Sequence, residues 1–596
     1  MTDQHIIQTI AHTIHVSEKQ IQTALSLLQS GNTIPFIARY RKEATGMLNE
    51  IQLRQIQEQY EYEQALSSRR EAVRQSIMEQ GQWTEELGRL LDQAGKLQEI
   101  EDLYMPYKPK KRTKASMARD AGLEPLADIF WQQDPHGPSP EEAAASYLNE
   151  TIPTIEDAIA GAANILAERM SELAPYRQYL RRALWKTSKL ECALLVEEDE
   201  AKAMLTYKDF SGRIASLPSH RILAINRGEA QKLLKVTLTD TPDANIGKLI
   251  QDVTVCDSPY GQIIAAAAAD SYKRLIFPQL EREIRSDLTE RAEKQAISIF
   301  AKNLRSLLLQ PPFAGQVILG LDPGYRTGCK AAVIDATGNV LDYGVCYLTG
   351  SEKQRRASAD TLLSMIQNHG VTLLSIGNGT ASYETEQFVA SLIQENDLSC
   401  RYIIANESGA SVYSASDLAR EELPDLDVTI RGAVSIARRI QDPLAEAVKI
   451  DPKSIGVGQY QHDVNQKSLS AALDAVVESV VNYVGVDLNT ASAALLQHVS
   501  GLTAATAANI VAYRKENGPF HSRQELLSVN RLGPATFTQC AGFLRIKGGD
   551  EPLDNTSVHP ESYELTEKII SHYGLTKADL HDEEKLRALQ SKVQMN

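Results

Sequence analysis

Cysteine is scarce. The chain has six in 596 residues: Cys192, Cys256, Cys329, Cys346, Cys400 and Cys540. None forms a Cys-x-x-Cys pair, and no histidine stands beside them at zinc spacing. That excludes a disulfide framework and a zinc ribbon, and leaves buried thiols in a reducing cytosol as the expectation. Long hydrophobic runs are missing as well. IIAAAAA at 263–269 is the longest, far short of the roughly 18 residues a membrane span requires. The opening MTDQHIIQTIAHTIH carries an early acid and no extended apolar stretch, so it does not read as a secretory signal. A cytoplasmic protein with no membrane partner is expected. Net positive charge is absent too: the formal charge is −15. Any nucleic-acid contact must therefore come from local basic patches.

What the chain does have is helix, and length for several domains, since single cores rarely grow beyond about 250–300 residues. Apolar residues at Ile6, Ile10, Ile14, Ile21, Leu25 and Leu28 keep helical spacing. The stretch SGNTIPFIARYRKEATG at 30–46 interrupts the pattern, and Pro35 with its apolar neighbours is expected to pack as a turn. Residues 103–122, LYMPYKPKKRTKASMARDAG, combine helix-stopping prolines with Lys108, Lys110, Lys111, Arg112 and Lys114. Such a run is either a solvated connector or a phosphate contact. From 190 to 260 the segments ALLVE, HRILAIN and LKVTL read as short strands among helices. A helical pattern from about 261 to 308 ends at Pro311-Pro312, a domain boundary.

Past that boundary the character changes. VILGLD, GCKAAVID and VLDYGVCYL form a three-strand meander, followed by helix, strand, helix, strand and helix up to about 450. A mixed sheet with helices on both faces is the RNase H-like topology, in which strand ends carry the chemistry. Asp322 closes the first strand, and Glu407 follows the strand RYIIAN.

Two similar units then occupy 495–547. In the first, Ser500-Gly501-Leu502 turn between helices. In the second, Arg531-Leu532-Gly533-Pro534 do so. A tandem helix-hairpin-helix presents backbone N–H groups and helix starts to phosphate. Arg514, Lys515, Arg523, Arg531, Arg545 and Lys547 make the segment locally basic. Contacts of this kind read backbone, not sequence. A purely structural hairpin module is the bland alternative.

Taken in order, SGNTIPFIARYRKEATG, PYKPKKRTKA, VILGLDPGYRTG, RIQDPLAEAVKIDPKSIGVGQYQHDV and the two hairpins resemble the bacterial transcription accessory (Tex) family over essentially the whole chain. The resemblance implies a multidomain, mainly α protein with a central α/β RNase H-like (YqgF) domain and tandem helix-hairpin-helix. It places a helical N-terminal domain at 1–190, a mixed region ending in a long linker helix at 191–312, the YqgF-like domain at 315–450, and a helical segment with the hairpins at 451–548. Residues 549–596 resemble a further, degenerate hairpin domain. Family members usually continue into an RNA-binding OB-fold, and no strand-rich segment follows 550 here. The implied function is RNA or DNA binding linked to transcription, without a settled enzymatic activity, and no cofactor is expected for it.

Two other functions remain open. RNase H-like nucleases hold Mg²⁺ with three or four carboxylates. Asp322 and Glu407 would be catalytic in a Mg²⁺-dependent nuclease or resolvase. The last helix should bring another acid, but Ile430 and Arg431 occupy that region, with Asp417, Asp427 and Asp442 displaced from it. A degenerate site is therefore expected, with Arg326, Lys330 and Arg431 able to turn the mouth towards phosphate. The long helical stretch 120–310 also suits a scaffold for the transcription machinery. Oligomeric state is not legible.

Overall fold

The computed structural model describes residues 3–109, 112–255, 257–581, 584, 585 and 587. The chain forms two compact units, Met1–Ile10 with Glu58–Ala296, and Ala11–Gln57 with Ile297–Asn596.

The first unit is mainly helical. Leu66, Val73 and Ile77, at helical spacing, bury against Leu87, Leu91 and Ile100 of two short helices, Glu85–Gln93 and Leu97–Tyr104. Its interior also holds charge. Arg177 and Asp102 pair at 2.9 Å with almost no exposure, and Arg181 bridges Asp102 to Glu283. Pairing offsets the desolvation that each ion would suffer alone. A small antiparallel sheet joins β1 (Lys189–Leu194), β2 (Phe210–Arg213) and β3 (Leu234–Leu238) in the order β2-β1-β3. Only LKVTL lies where a strand is expected. β1 precedes most of ALLVE, and HRILAIN belongs to the helix Ser219–Ala230. Its β-branched residues suggested a strand, but Ile222, Leu223, Ala224 and Ile225 are all buried, a continuous run that a helix packed on several sides accommodates.

The second unit contains a five-stranded mixed sheet. Its strands are β4 (Ile318–Asp322), β5 (Cys329–Ile334), β6 (Val340–Cys346), β7 (Leu373–Gly377) and β8 (Arg401–Ala405), in the order β6-β5-β4-β7-β8. β4, β5 and β6 are antiparallel neighbours; β4, β7 and β8 run parallel. On one face Leu319, Leu321, Val333 and Leu374 pack under α1 (Glu352–His369) and α2 (Ser382–Glu395). On the other, Ile318, Ala332 and Ile334 meet Ala433, Val434 and Ala437 of α3 (Val428–Gln441). The helix comes very close at Gly320, where an added Cβ would stand 2.2 Å from the Ala433 carbonyl oxygen. Central strands covered on both faces read as continuous apolar runs, which is why VILGLD lacks alternation.

The same unit holds α4 (Gln466–Val484), α5 (Ala504–Asn517) and α6 (Pro534–Cys540). The stretch expected to turn at 30–46 contains the helix Ile34–Tyr40, capped by Thr33 with Pro35 in its first turn. Proline is tolerated there because that N–H has no partner inside the helix. From this helix the Tyr40 hydroxyl donates to the Gly542 carbonyl at 2.6 Å, and Arg39 donates to the Asn482 carbonyl at 3.1 Å. This helix acts as a wedge that ties residues 34–41 to the hairpin region.

Candidate nucleic-acid interface and the acidic mouth of the sheet

The two hairpins differ. Gly501, at φ +77°, faces Gln539: an added Cβ would lie 2.4 Å from the Gln539 Cβ. Gln539 in turn accepts from the Thr33 backbone N–H at 3.1 Å and donates to Asn32 at 2.7 Å, while Thr33 and Ser500 hydroxyls share a hydrogen bond. Thr503 caps α5 with a reciprocal Thr506 bond. The first hairpin is therefore partly covered from within its own unit. The second is open. Gly533 is exposed, an added Cβ there would meet nothing within 4 Å, and no described side chain caps α6. Arg531 is exposed and held at φ +64°, a left-handed conformation uncommon for a non-glycine residue. Lys515 is exposed at the last turn of α5.

Three expected contacts are engaged elsewhere. Arg523 is only 1% exposed. Its guanidinium donates to the carbonyls of Leu544, Thr556 and Val558 and to the Tyr563 hydroxyl. It is a structural hub and offers nothing to a phosphate. Charge on a basic stretch suggested a surface role, but here the chain folds around the guanidinium. Arg514 is half-buried and donates to Leu488 and Ala491 carbonyls, and desolvation lowers its pKa. Lys108, in the first unit, pairs with Glu101, which also binds Arg69. Arg112 and Lys114 are exposed; Lys110 and Lys111 lie outside the described residues.

At the sheet, Asp322 and Glu407 do meet at one mouth. Burial, then the Glu407 charge, pushes the Asp322 carboxyl up to about 6, and Lys330 partly offsets this. Three glycines make room for the pair. An added Cβ would stand 2.4 Å from Glu407 at Gly377, 1.8 Å from it at Gly379, and 2.8 Å from Asp322 at Gly432. The loop carrying Glu407 is set by Asn378, which accepts its N–H at 3.1 Å, and by buried Arg439, which donates to the Asn406 and Ser408 carbonyls. Sequence reasoning missed Asn378, Arg439 and these glycines; the Gly-Asn-Gly run closing a buried strand was the available signal.

The α3 residue facing Asp322 is thus Gly432, not Arg431. Arg431 is buried and donates to the Leu423 carbonyl. Asp427 caps α3, Asp442 caps the next helix, and Asp417 is exposed beside Arg420. Among the described residues no three His, Cys, Asp or Glu side chains gather closely enough to hold an ion. Two carboxylates without a third do not fit the two-ion clamp of RNase H-like nucleases. Lys330 is buried too, its ammonium donating to the Thr327 and Gly328 carbonyls, so it does not face phosphate.

Comparison with known sequences places these parts. Family models match as a Tex-like protein N-terminal domain (residues 4–78), a Tex central region-like segment (136–300) and a Tex protein YqgF-like domain (316–441). A helix-hairpin-helix motif matches 481–545 and an HHH domain 551–596. The transcriptional accessory protein Tex of Neisseria gonorrhoeae is 47% identical over 592 residues, spanning 97% of this chain and 76% of that protein. The chain belongs to the Tex family. A Bacillus subtilis relative, YdcI, is 47% identical over 575 residues, covering 96% of this chain and 80% of its own length. Human S1 RNA-binding domain-containing protein 1 is 36% identical over 641 residues, covering 96% of this chain and 64% of that protein. The five described cysteines of this Tex-family chain are free and buried, while Cys256 lies outside the described residues. No described helix is long and apolar enough to cross a membrane.

Proposed function

We propose that this chain is a cytoplasmic transcription accessory protein that grips RNA or DNA by its backbone, without reading sequence, and whose RNase H-like domain does not cleave. The open second hairpin carries the reading: Arg531 and Gly533 are exposed, Lys515 is exposed at the end of α5, and among the described residues no side chain caps α6. Backbone amides and cations in such a hairpin suit phosphate. The gonococcal relative's name supports the link to transcription, and the human relative's name supports RNA as a ligand class. The transcription machinery is the protein partner that this reading implies. Fluorescence anisotropy with labelled RNA and duplex DNA tests it. Lys515→Glu with Arg531→Glu should weaken both by 10-fold or more, since each cation removed from a phosphate contact lowers affinity and salt slope together, by about one unit of slope per contact. Unchanged affinity refutes it.

One observation favours a second reading, a Mg²⁺-dependent nuclease: Asp322 and Glu407 come together at the mouth. Incubation with branched, single-stranded and duplex substrates plus Mg²⁺ or Mn²⁺ separates the two. Cleavage that Asp322→Asn abolishes establishes the nuclease; intact substrates support binding alone.

A further inference from the structure

Edge strands of natural sheets are normally blunted by lysine, proline or a covering element. β6 has neither lysine nor proline over its length, and one of its faces is open. Leu341, Tyr343 and Val345 alternate outward along it and Tyr347 follows, each between 42% and 51% exposed. The register explains this. Tyr343 pairs with Ala332 and Val345 with Lys330, so both lie on the α3 face of the sheet. The helix packs chiefly on β4 and β5 and meets β6 at Val340, leaving Tyr343 and Val345 exposed further along the strand. Neither Tyr343 nor Tyr347 makes a hydrogen bond through its hydroxyl among the described residues. Two half-exposed rings with unbonded hydroxyls are thus displayed, Tyr343 on the strand and Tyr347 just beyond its end.

The charges around them indicate what they meet. Tyr347 packs over Gly328, where an added Cβ would stand 3.1 Å from its ring. Gly328 closes the short loop that exposes Arg326. On the other side the Tyr347 N–H donates to Ser358 of α1 at 2.8 Å, and the first turns of that helix expose Lys353, Arg355 and Arg356. Arg356 pairs with Glu352, whereas Arg326 and Lys353 have no ion pair among the described residues. Exposed aromatic rings flanked by cations on a sheet are the arrangement that stacks bases and tracks phosphates of a single strand. Duplex bases are stacked on one another and cannot reach such rings.

We propose that β6 is a binding surface for single-stranded nucleic acid, with Tyr343 and Tyr347 stacking bases and Arg326 meeting the backbone. This rests on the nucleic-acid reading above and adds a second contact, selective for unpaired strands.

Anisotropy on the full chain tests it, with a labelled oligothymidylate and a labelled duplex as probes. Tyr343→Ala with Tyr347→Ala should weaken oligothymidylate binding by about 5-fold or more for each ring lost. Duplex binding should stay unchanged, and Tyr→Phe at both positions should keep single-strand affinity. Tyr343→Trp should show fluorescence quenching on oligothymidylate addition. An unchanged oligothymidylate affinity in the double alanine variant overturns the proposal, as does an equal loss on both probes. Unchanged affinity together with a dimer that the same variants dissolve would make β6 a pairing edge instead, which also overturns it. The hairpin variants separate the two claims: they should weaken duplex binding whether or not β6 stacks bases. Wild-type protein that binds neither probe refutes both.

Discussion

Asp322 stands directly opposite Lys330 in the β4–β5 register, yet the lysine ammonium turns back to the Thr327 and Gly328 carbonyls. The carboxylate therefore keeps much of its desolvation, and Glu407 adds repulsion. Its folded pKa, about 6, lies above the ordinary 3.8. The folded state binds this proton more tightly than the unfolded one between those values, so stability falls as pH rises from about 4 to about 6. Asp322→Asn should remove that decline and stabilise the protein by about 1–2 kcal/mol at pH 7, allowing for partial solvent access. Urea melts of the domain-containing chain at pH 5 and pH 8 check it. A variant with the wild-type pH dependence contradicts it.

Gly320 predicts a sterically driven loss. The atom facing its missing Cβ is the Ala433 backbone oxygen, at 2.2 Å, and a backbone in mid-helix cannot step aside. Gly320→Ala should cost about 3 kcal/mol, the upper part of the range for overpacking. Thermal unfolding measures it; a shift within error would mean that α3 sits further from β4.

Tyr40 joins the short N-terminal wedge to the hairpin region through one hydroxyl, with the Gly542 carbonyl at 2.6 Å and the Ser557 carbonyl at 3.1 Å. Tyr40→Phe keeps the ring contact with Phe543 and loses the hydroxyl. It should destabilise by about 1 kcal/mol because the partly buried Gly542 carbonyl loses its donor. Hydrogen exchange should show the loss in residues 540–560.

Arg523 and Arg531 separate structure from binding. Arg523→Lys removes a planar, multiply bonded guanidinium from a buried site, where lysine cannot replace it. It should cost about 3 kcal/mol or more and weaken nucleic-acid binding only where the protein has begun to unfold. Arg531→Ala should leave stability within about 0.5 kcal/mol, as surface changes do, and still weaken binding. Denaturant melts beside binding curves distinguish the two.

The meander, the alternating helices and strands after it, and the hairpin turns were legible in the sequence, because apolar runs, Pro-Gly turns and Gly-containing hairpins are local signals. The family was legible in whole motifs. What the sequence hid was long-range. Nothing near Arg523 announces that Leu544, Thr556 and Val558 will enclose it. Nothing near Gly501 announces Thr33, from the other end of the chain. The position facing Asp322 was misplaced by one residue, and in a helix one residue turns a side chain through more than a quarter of a circle. Alternation along VLDYGVCY is visible, but which face stays open depends on where α3 lies.

The salt dependence of duplex DNA binding tests the central claim most directly. Wild-type protein should lose affinity steeply with added salt. Lys515→Ala with Arg531→Ala should reduce the slope of log K against log salt by about 2, one unit for each phosphate contact removed. A double variant whose slope and affinity match wild type would contradict the assignment of the second hairpin as the phosphate grip.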